Sequence, residues 1–276
     1  MNKFLKKITF VIVSYKSQNI IDECIKDIPK KSKIIIIENS KDKNILKNIK
    51  RRDNISLILN KNSGYGNGNN LGLSLVKTKY AFIINPDVQI GKHTLKWIFK
   101  ATKALKNKFS IIGPLNTNLK KKFIRNEEAV GGHAMLLNLE KFRSRKIFDK
   151  KIFLFNEEID LCLRLKNKGE KIYSVSNCNI MHRGSMSVEK SFKVDVLRNW
   201  HGYWSYFYFQ KKHYGKPKAY LKCSKKFFGA LHQYIFALIL FNKKKRYMNR
   251  YKLSGLINSF LGKASWLRLG DLNGNF

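Results

Sequence analysis

Asp87 closes the string Ala81-Phe82-Ile83-Ile84-Asn85-Pro86-Asp87, an apolar run whose direction is then fixed by a proline. A carboxylate projected from a strand end is a hard oxygen ligand of the kind that holds Mg2+ or Mn2+ together with substrate phosphates; it is equally a turn-forming or capping aspartate. Glu157, Glu158 and Asp160 open a helical pattern behind Asn156, a good N-cap residue. Acids in a first turn complement the helix dipole. One of them at a cleft mouth could instead serve as a general base, which must come within about 2.6–3.2 Å of the hydroxyl it deprotonates. His182-Arg183-Gly184-Ser185 follows a short apolar stretch. Its histidine is either a hydrogen-bonded structural residue or, beside an arginine, a contact to diphosphate or metal.

The stretch from Asn62 to Gly72 carries glycines at 64, 66 and 68. Glycine lets backbone approach a ligand closely, and a following helix offers free amides to an anion. The spacing matches neither G-x-G-x-x-G nor G-x-x-x-x-G-K-[ST]. Taken alone, it reads as a tight connection in which Asn and Gly accept positive φ.

Such residues act only if the chain gathers them, and the N-terminal half has the pattern to do so. Ile8–Ser14 is a continuous apolar run, as in a parallel strand buried on both faces. Ile20, Ile21, Cys24, Ile25 and Ile28 recur at helical spacing and stop at Pro29. Strands are expected at Lys33–Ile37, Ile55–Leu59 and Tyr80–Ile84, with helices at Lys43–Lys50 and Asn70–Lys77. Strand and helix in alternation imply a parallel sheet covered on both faces, with ligands at the carboxyl ends of the strands. Four loops follow those strands: Ser14-Tyr15-Lys16-Ser17, Glu38-Asn39-Ser40, the glycine stretch, and Asn85-Pro86-Asp87. All four should meet on one edge. Further on, Ile111-Ile112, His133–Leu137, Ile172–Val175 and Asn179–Met181 read as strands, and Glu157 to about Lys168 as a helix ended by Gly169.

The chain has 276 residues, 56 Lys+Arg against 18 Asp+Glu, and a formal net charge of +38; it is 43% hydrophobic. That apolar content excludes disorder for most of it. The lysines run through almost every segment, as a compositional bias toward Lys, Asn and Ile produces. They support a general attraction to anionic surfaces, and a membrane face or a nucleotide phosphate fits as well as RNA. Cys24, Cys162, Cys178 and Cys223 form no C-x-x-C pair, so neither a disulfide framework nor a cysteine zinc site is signalled and a reducing cytoplasm is expected. The apolar stretch after Lys7 is too short for a signal peptide, and no window reaches the ~18 apolar residues of a spanning helix.

Taken in order, VIVSYKS, IIIIENS, NSGYGNGNNLGL, FIINPDV, GGHAMLL, FNEEIDLCLRLKNKGEKIY and HRGSMS resemble the inverting nucleotide-sugar glycosyltransferases of family two, in their rhamnosyltransferase-like branch, from Ile8 to about Gly215. The resemblance implies an α/β GT-A fold: a mostly parallel, Rossmann-like sheet flanked by helices. It implies that Ser14, Tyr15 and Glu38 line a nucleoside pocket, that Asn62, Gly66, Asn70 and Asn85 support the donor, and that Asp87 ligates the Mg2+ or Mn2+. Gly132, His133 and Glu157 would flank sugar and acceptor, Glu158 would be the catalytic base, and His182 would touch metal or diphosphate. Two positions depart from the family pattern. Glu38 stands where aspartate is usual, and Glu158 replaces the aspartate of an acidic pair usually written Glu-Asp. The implied reaction is a single inverting displacement from dTDP-rhamnose or a UDP-hexose to a lipid-linked or polysaccharide acceptor of the cell surface.

Residues 1–190 would form the catalytic domain and 191–276 a helical, basic and aromatic extension. In the latter, Phe227–Phe241 is an apolar run flanked by Lys225-Lys226 and by Lys243-Lys244-Lys245-Arg246. That composition reads as an interfacial helix on the cytoplasmic face of the cell membrane, or as a helix buried against the catalytic domain or in a dimer contact. Two rival readings stand beside the transferase, for which no nucleic-acid partner is expected. One is a basic RNA-binding protein, which would stack bases on exposed aromatics. The other is a nucleotidyltransferase, which would share the nucleotide and metal site but need no base at Glu158.

Overall fold

The computed structural model describes residues 1–49, 52–91, 93–115, 123–182 and 191–272. Lys50 of the expected second helix, and Arg183, Gly184 and Ser185 of the histidine motif, lie outside the described residues. The chain divides into two compact units, one of Met1–Asp149 with Glu157–Glu189, the other of Lys150–Asn156 with Lys190–Phe276.

In the first unit the strands are β1 (Ile8–Ser14), β2 (Lys33–Glu38), β3 (Ile55–Leu59), β4 (Tyr80–Ile84), β5 (Val88–Ile90), β6 (Ile111–Pro114), β7 (Ile124–Asn126), β8 (Ala134–Asn138), β9 (Ile172–Val175) and β10 (Ile180–His182). Eight form one sheet in the order β3-β2-β1-β4-β8-β6-β9-β7, and β5 pairs with β10 in a separate ribbon. The first four sheet strands run parallel, while β8 is antiparallel to both β4 and β6. The helices are α1 (Asn2–Leu5), α2 (Ile21–Lys26), α3 (Ile45–Ile49), α4 (Tyr65–Ser74), α5 (Thr94–Ala104) and α6 (Glu157–Lys166). Alternate strand residues serve opposite faces of the sheet. Phe10, Ile12, Ile34, Ile36, Phe82 and Ile84 pack with Ile21, Cys24, Ile45 and Ile98. Val11, Val13, Ile35, Ile37, Ala81 and Ile83 pack with Leu73, Leu161, Cys162 and Leu165. This two-faced burial is why the strands read as unbroken apolar runs.

Three expectations need correcting. The helix expected over Asn70–Lys77 starts five residues earlier, at Tyr65, so most of the presumed glycine loop is helix. Gly64 alone of that stretch has positive φ, at 101°. A Cβ on Gly68 would stand 2.8 Å from a Val13 methyl, and one on Gly72 2.5 Å from a Val11 methyl. These glycines therefore let α4 lie against β1, rather than forming turns. Secondly, Asn156 has φ 66°, unlike the extended backbone of an N-cap, and its side-chain amide donates to Ser205 Oγ. Thirdly, α5 and the short strands β5 and β7 were not foreseen. Gly169 does end α6, with φ +74°.

The second unit is built on α7 (Phe192–Ile239) and α8 (Lys243–Phe260). Gly215, with φ 82°, interrupts α7 two residues before Pro217, so the element is two helices joined at a kink. Trp200, Trp204 and Phe207 are buried here, so the aromatic-rich segment fills a core rather than offering open faces for bases. His201 lies 2.8 Å from Ser265 Oγ and 3.0 Å from the Leu267 carbonyl, and burial holds it down to about 3, a neutral ring. The segment Lys150–Asn156 joins this unit through Phe153, which stacks on His201 with ring centroids 4.4 Å apart. The contiguous 1–190 boundary did not separate it.

Because a methyl on Gly72 meets a fixed strand side chain, Gly72→Ala should destabilise the protein by about 1–3 kcal/mol. In urea unfolding, the double variant with Val11→Ala should lose less than the sum of the single variants. Strict additivity would show that α4 and β1 do not meet as described.

Candidate active site

Since β1 to β4 are parallel neighbours, the loops after them open on one edge of the sheet. Ser14 and Glu38 sit in register there. Glu38 is fully buried, and its carboxylate accepts from Ser14 Oγ, Ser40 Oγ, Ser40 N at 2.8 Å and Lys16 N at 3.2 Å. Those bonds tie the first two loops together. Tyr15 is half-buried in the same turn. Asn62 Oδ1 accepts from Gly64 N at 3.1 Å, which sets the entry to α4. Gly66 is buried on α4, where a Cβ would stand 3.1 Å from the Phe148 Cβ. Asn70 exchanges two hydrogen bonds of 2.9 Å with the Phe148 backbone. Gly66 and Asn70 thus support this edge from within.

Asp87 lies at the β4 edge in a setting that explains its presence. It is 3% exposed, and among the described residues neither carboxylate oxygen has a hydrogen-bond partner. The ribbon places His182 opposite Val88, which brings His182 Nε2 to 3.5 Å from Asp87 Oδ2. His133 stacks on His182, ring centroids 4.7 Å apart and nearly parallel. It reaches this point because Asn85 N donates to the His133 carbonyl at 2.9 Å, extending the β4–β8 pairing. Burial, then His182, hold His133 below the ordinary imidazole value, so its ring is neutral near pH 7. A buried carboxylate without a partner costs several kcal/mol when ionised unless a cation or donor meets it. The orphaned Asp87 beside a half-exposed histidine therefore fits a divalent cation that takes its other ligands from diphosphate and water. Among the described residues no group of three His, Cys, Asp or Glu converges as an all-protein metal cage.

Glu157 and Glu158 begin α6. A Cβ on Gly132 would stand 3.3 Å from the Glu158 side chain, which brings Glu158 beside the loop that carries His133. Glu157 is 3% exposed, and among the described residues its Oε2 has no hydrogen-bond partner. Burial and then Glu158 raise the Glu157 carboxyl above the usual range, and burial raises Glu158 as well. Glu158 is the more exposed of the two, and both carboxyls favour the neutral form more than a carboxyl in water does. Asp160, the third acid, is fully buried and paired with Arg164 at 2.8 Å.

Two residues of this site escaped the sequence. Tyr65 places its hydroxyl 2.7 Å from Asn85 Oδ1 and 2.9 Å from the Gly132 carbonyl oxygen, so its one proton serves acceptors on two loops. Burial raises its ionisation well above the ordinary phenol range, and it remains a donor. Cys24 donates to the Asn85 carbonyl at 3.4 Å, and burial keeps that thiol protonated. The signal for Tyr65 was a lone aromatic hydroxyl among glycines and asparagines; nothing in the sequence marked its partners.

The raised Glu157 carboxyl sets a sign for stability against pH. The folded state holds this proton more tightly than the unfolded chain, so the associated stability is complete below the ordinary value of 4.5 and is lost as pH rises through the raised one. Glu157→Gln should therefore gain melting temperature relative to wild type as pH rises from about 5 to about 9. A constant difference across thermal unfolding curves at fixed ionic strength would overturn this.

Comparison with known proteins supplies the class. The sequence profile of glycosyl transferase family 2 matches residues 9–163. The low-salt glycan biosynthesis hexosyltransferase Agl10 of Haloferax volcanii is 20% identical over 224 residues, 69% of this chain and 72% of that protein. Among solved structures, the mannosyltransferase PcManGT from Pyrobaculum calidifontis, in complex with GDP-Man and Mn2+, is similar in fold with a TM-score of 0.57, at 12% identity over 93% of this chain and 88% of that one. The profile spans more than half of the chain and takes in β1 to β4, Asp87, His133 and the acidic pair. This α/β protein has the GT-A fold and belongs to glycosyl transferase family 2.

Proposed function

We propose that this glycosyltransferase moves a hexose-type sugar, from dTDP-rhamnose or a UDP-hexose, to a lipid-linked or oligosaccharide acceptor with inversion at the anomeric carbon. The observation that carries the reading is the pairing of two unlike carboxylate environments at one sheet edge. Asp87 is buried beside His182, with no hydrogen-bond partner among the described residues. Glu158 stands against Gly132 and shares its proton economy with Glu157.

Asp87 and His182 would hold the Mg2+ or Mn2+, which when bound neutralises charge on the leaving diphosphate. Ser14, Tyr15, Glu38 and Asn62 would shape the nucleoside pocket, with Gly66, Asn70 and Asn85 fixing its loops. Gly132 and His133 would border the sugar. Glu158 takes the proton of the acceptor hydroxyl while that oxygen bonds to the anomeric carbon and the bond to the diphosphate oxygen breaks. Attack from the face opposite the leaving group inverts the centre. Glu157, the more buried member of the pair, would keep its proton, while Glu158, the more exposed, would ionise and act as the base. The second unit would rest on the cytoplasmic face of a membrane, where lipid-linked acceptors lie. Among the described residues no helix is long and apolar enough to cross a membrane.

The donor is identified by thermal unfolding with a panel of dTDP-, UDP- and GDP-sugars, each with and without Mn2+. A ligand at about 100 times its dissociation constant stabilises the fold by about 2.7 kcal/mol. One sugar nucleotide should raise the melting temperature, more so with Mn2+, and Asp87→Ala should abolish the Mn2+ increment. Glu158→Gln should keep the donor shift but lower kcat by roughly 100-fold to 10,000-fold, the usual yield of general-base catalysis. Near-normal transfer by both variants would overturn the assignment. Donor-independent stabilisation by RNA would favour the nucleic-acid reading.

A further inference from the structure

The second half of α7 is inside out. At 100° per residue, Ala219, Cys223, Ala230 and Ala237 share one face of this helix, and all four are buried. The opposite face carries Leu221, Phe228, Ile235 and Ile239, which are 76%, 63%, 49% and 65% exposed. Small side chains point into the unit while large apolar ones point out, the reverse of an ordinary surface helix. The run ends at Phe241, which is 88% exposed in the turn between α7 and α8.

Charge borders this stripe on both sides. Lys218, Lys222 and Lys225 project from α7 within about 100° of it on one flank. On the other flank, Tyr234 and Leu238 join Lys243, Arg246, Tyr247 and Arg250 of α8 around a cavity of about 300 Å³. Lys243, Lys244, Lys245 and Arg246 occupy the first turn of α8, where the helix dipole disfavours cations. No Asp or Glu lies between Asp195 and Asp271 to offset them. An apolar occupant with a dense negative border satisfies both halves of the pattern.

We infer that this face docks on a bilayer containing anionic phospholipid, with Leu221, Phe228, Ile235, Ile239 and Phe241 entering the acyl boundary and the cavity of Lys243, Arg246 and Arg250 holding a lipid phosphate. The inference rests on the membrane reading above and adds to it the residues that insert, the lipid class, and a helix lying along the surface. Apolar burial provides the grip, and the phosphates offset the cations. RNA would satisfy the charge and leave the apolar stripe in water.

The test uses the full chain and sedimentation with vesicles of phosphatidylcholine alone or mixed with phosphatidylglycerol. Wild type should prefer the mixed vesicles strongly. Arg246→Ala/Arg250→Ala should weaken that binding by roughly tenfold or more, since each surface cation contributes a several-fold factor. Ile239→Ser/Phe241→Ser should weaken it by a similar factor with no change of charge, and circular dichroism should show unchanged helicity. Lys103→Ala/Lys106→Ala removes the same charge from the first unit and should weaken binding less than about threefold. Equal losses in the two charge variants would overturn the headgroup cavity and leave membrane attachment by diffuse charge. Full binding by Ile239→Ser/Phe241→Ser would overturn insertion. Failure of wild type to bind mixed vesicles, with capture of RNA or stabilisation by inorganic phosphate in its place, would overturn both the inference and the membrane reading. The donor-induced melting shift should persist in every one of these variants, so failure here is distinct from failure of the transferase assignment.

Discussion

A carboxylate buried without a hydrogen-bond partner is the constraint around which the first unit is arranged. Asp87 is held at the β4 edge with both oxygens unsatisfied among the described residues, and the fold can tolerate such a group only where something else meets it. The β5–β10 ribbon answers by bringing His182 opposite, and the β4–β8 pairing brings His133 onto His182. The acidic pair at the start of α6 shows the same economy. Burial raises both carboxyls above their ordinary range, Glu157 being the more deeply buried of the two.

Rigidity at this edge comes from groups that already have partners. Glu38 draws two loops together through serine and backbone donors, Asn70 clasps the Phe148 backbone, and Tyr65 ties Asn85 to Gly132. Preorganised polar groups of this kind do not reorganise when charge develops. The glycines of α4 contribute by what they lack, since Gly68 and Gly72 allow the helix to lie against β1 and so place Tyr65.

The second unit follows a different logic. Its aromatic cluster packs inward, with Trp200 and Trp204 at its centre and Trp204 Nε1 donating to the Lys263 carbonyl at 3.0 Å. Gly255 permits close passage of α8 past Trp200, since a Cβ there would stand 2.4 Å from the Trp200 carbonyl oxygen. With Trp200, Trp204 and Phe207 used inside, the outward face of α7 is left to the stripe of Leu221, Phe228, Ile235 and Ile239.

By itself the sequence determined β1 and β4, because a strand buried on both faces is apolar along nearly its whole length, and it placed β3 and β9 from their short runs rich in β-branched and aromatic residues; both signals are local. It also placed the four loops on one edge of the sheet, while their order along it came from the structure, and its motifs named the candidate residues Asp87, Glu158 and His182. It misread Asn62–Gly72, because glycines that serve a helix packed against a strand look the same in sequence as glycines that serve a turn. Only the tertiary structure decided that Asp87 meets His182, that Tyr65 joins two loops, and that large side chains on α7 face outward. The physical reason is that each depends on partners far apart in the chain, from the ribbon pair Val88 and His182, 182 − 88 = 94 positions apart, to the helix crossing that buries Ala230 in place of Phe228. Periodicity records which residues share a face; which face is covered is settled when the elements pack.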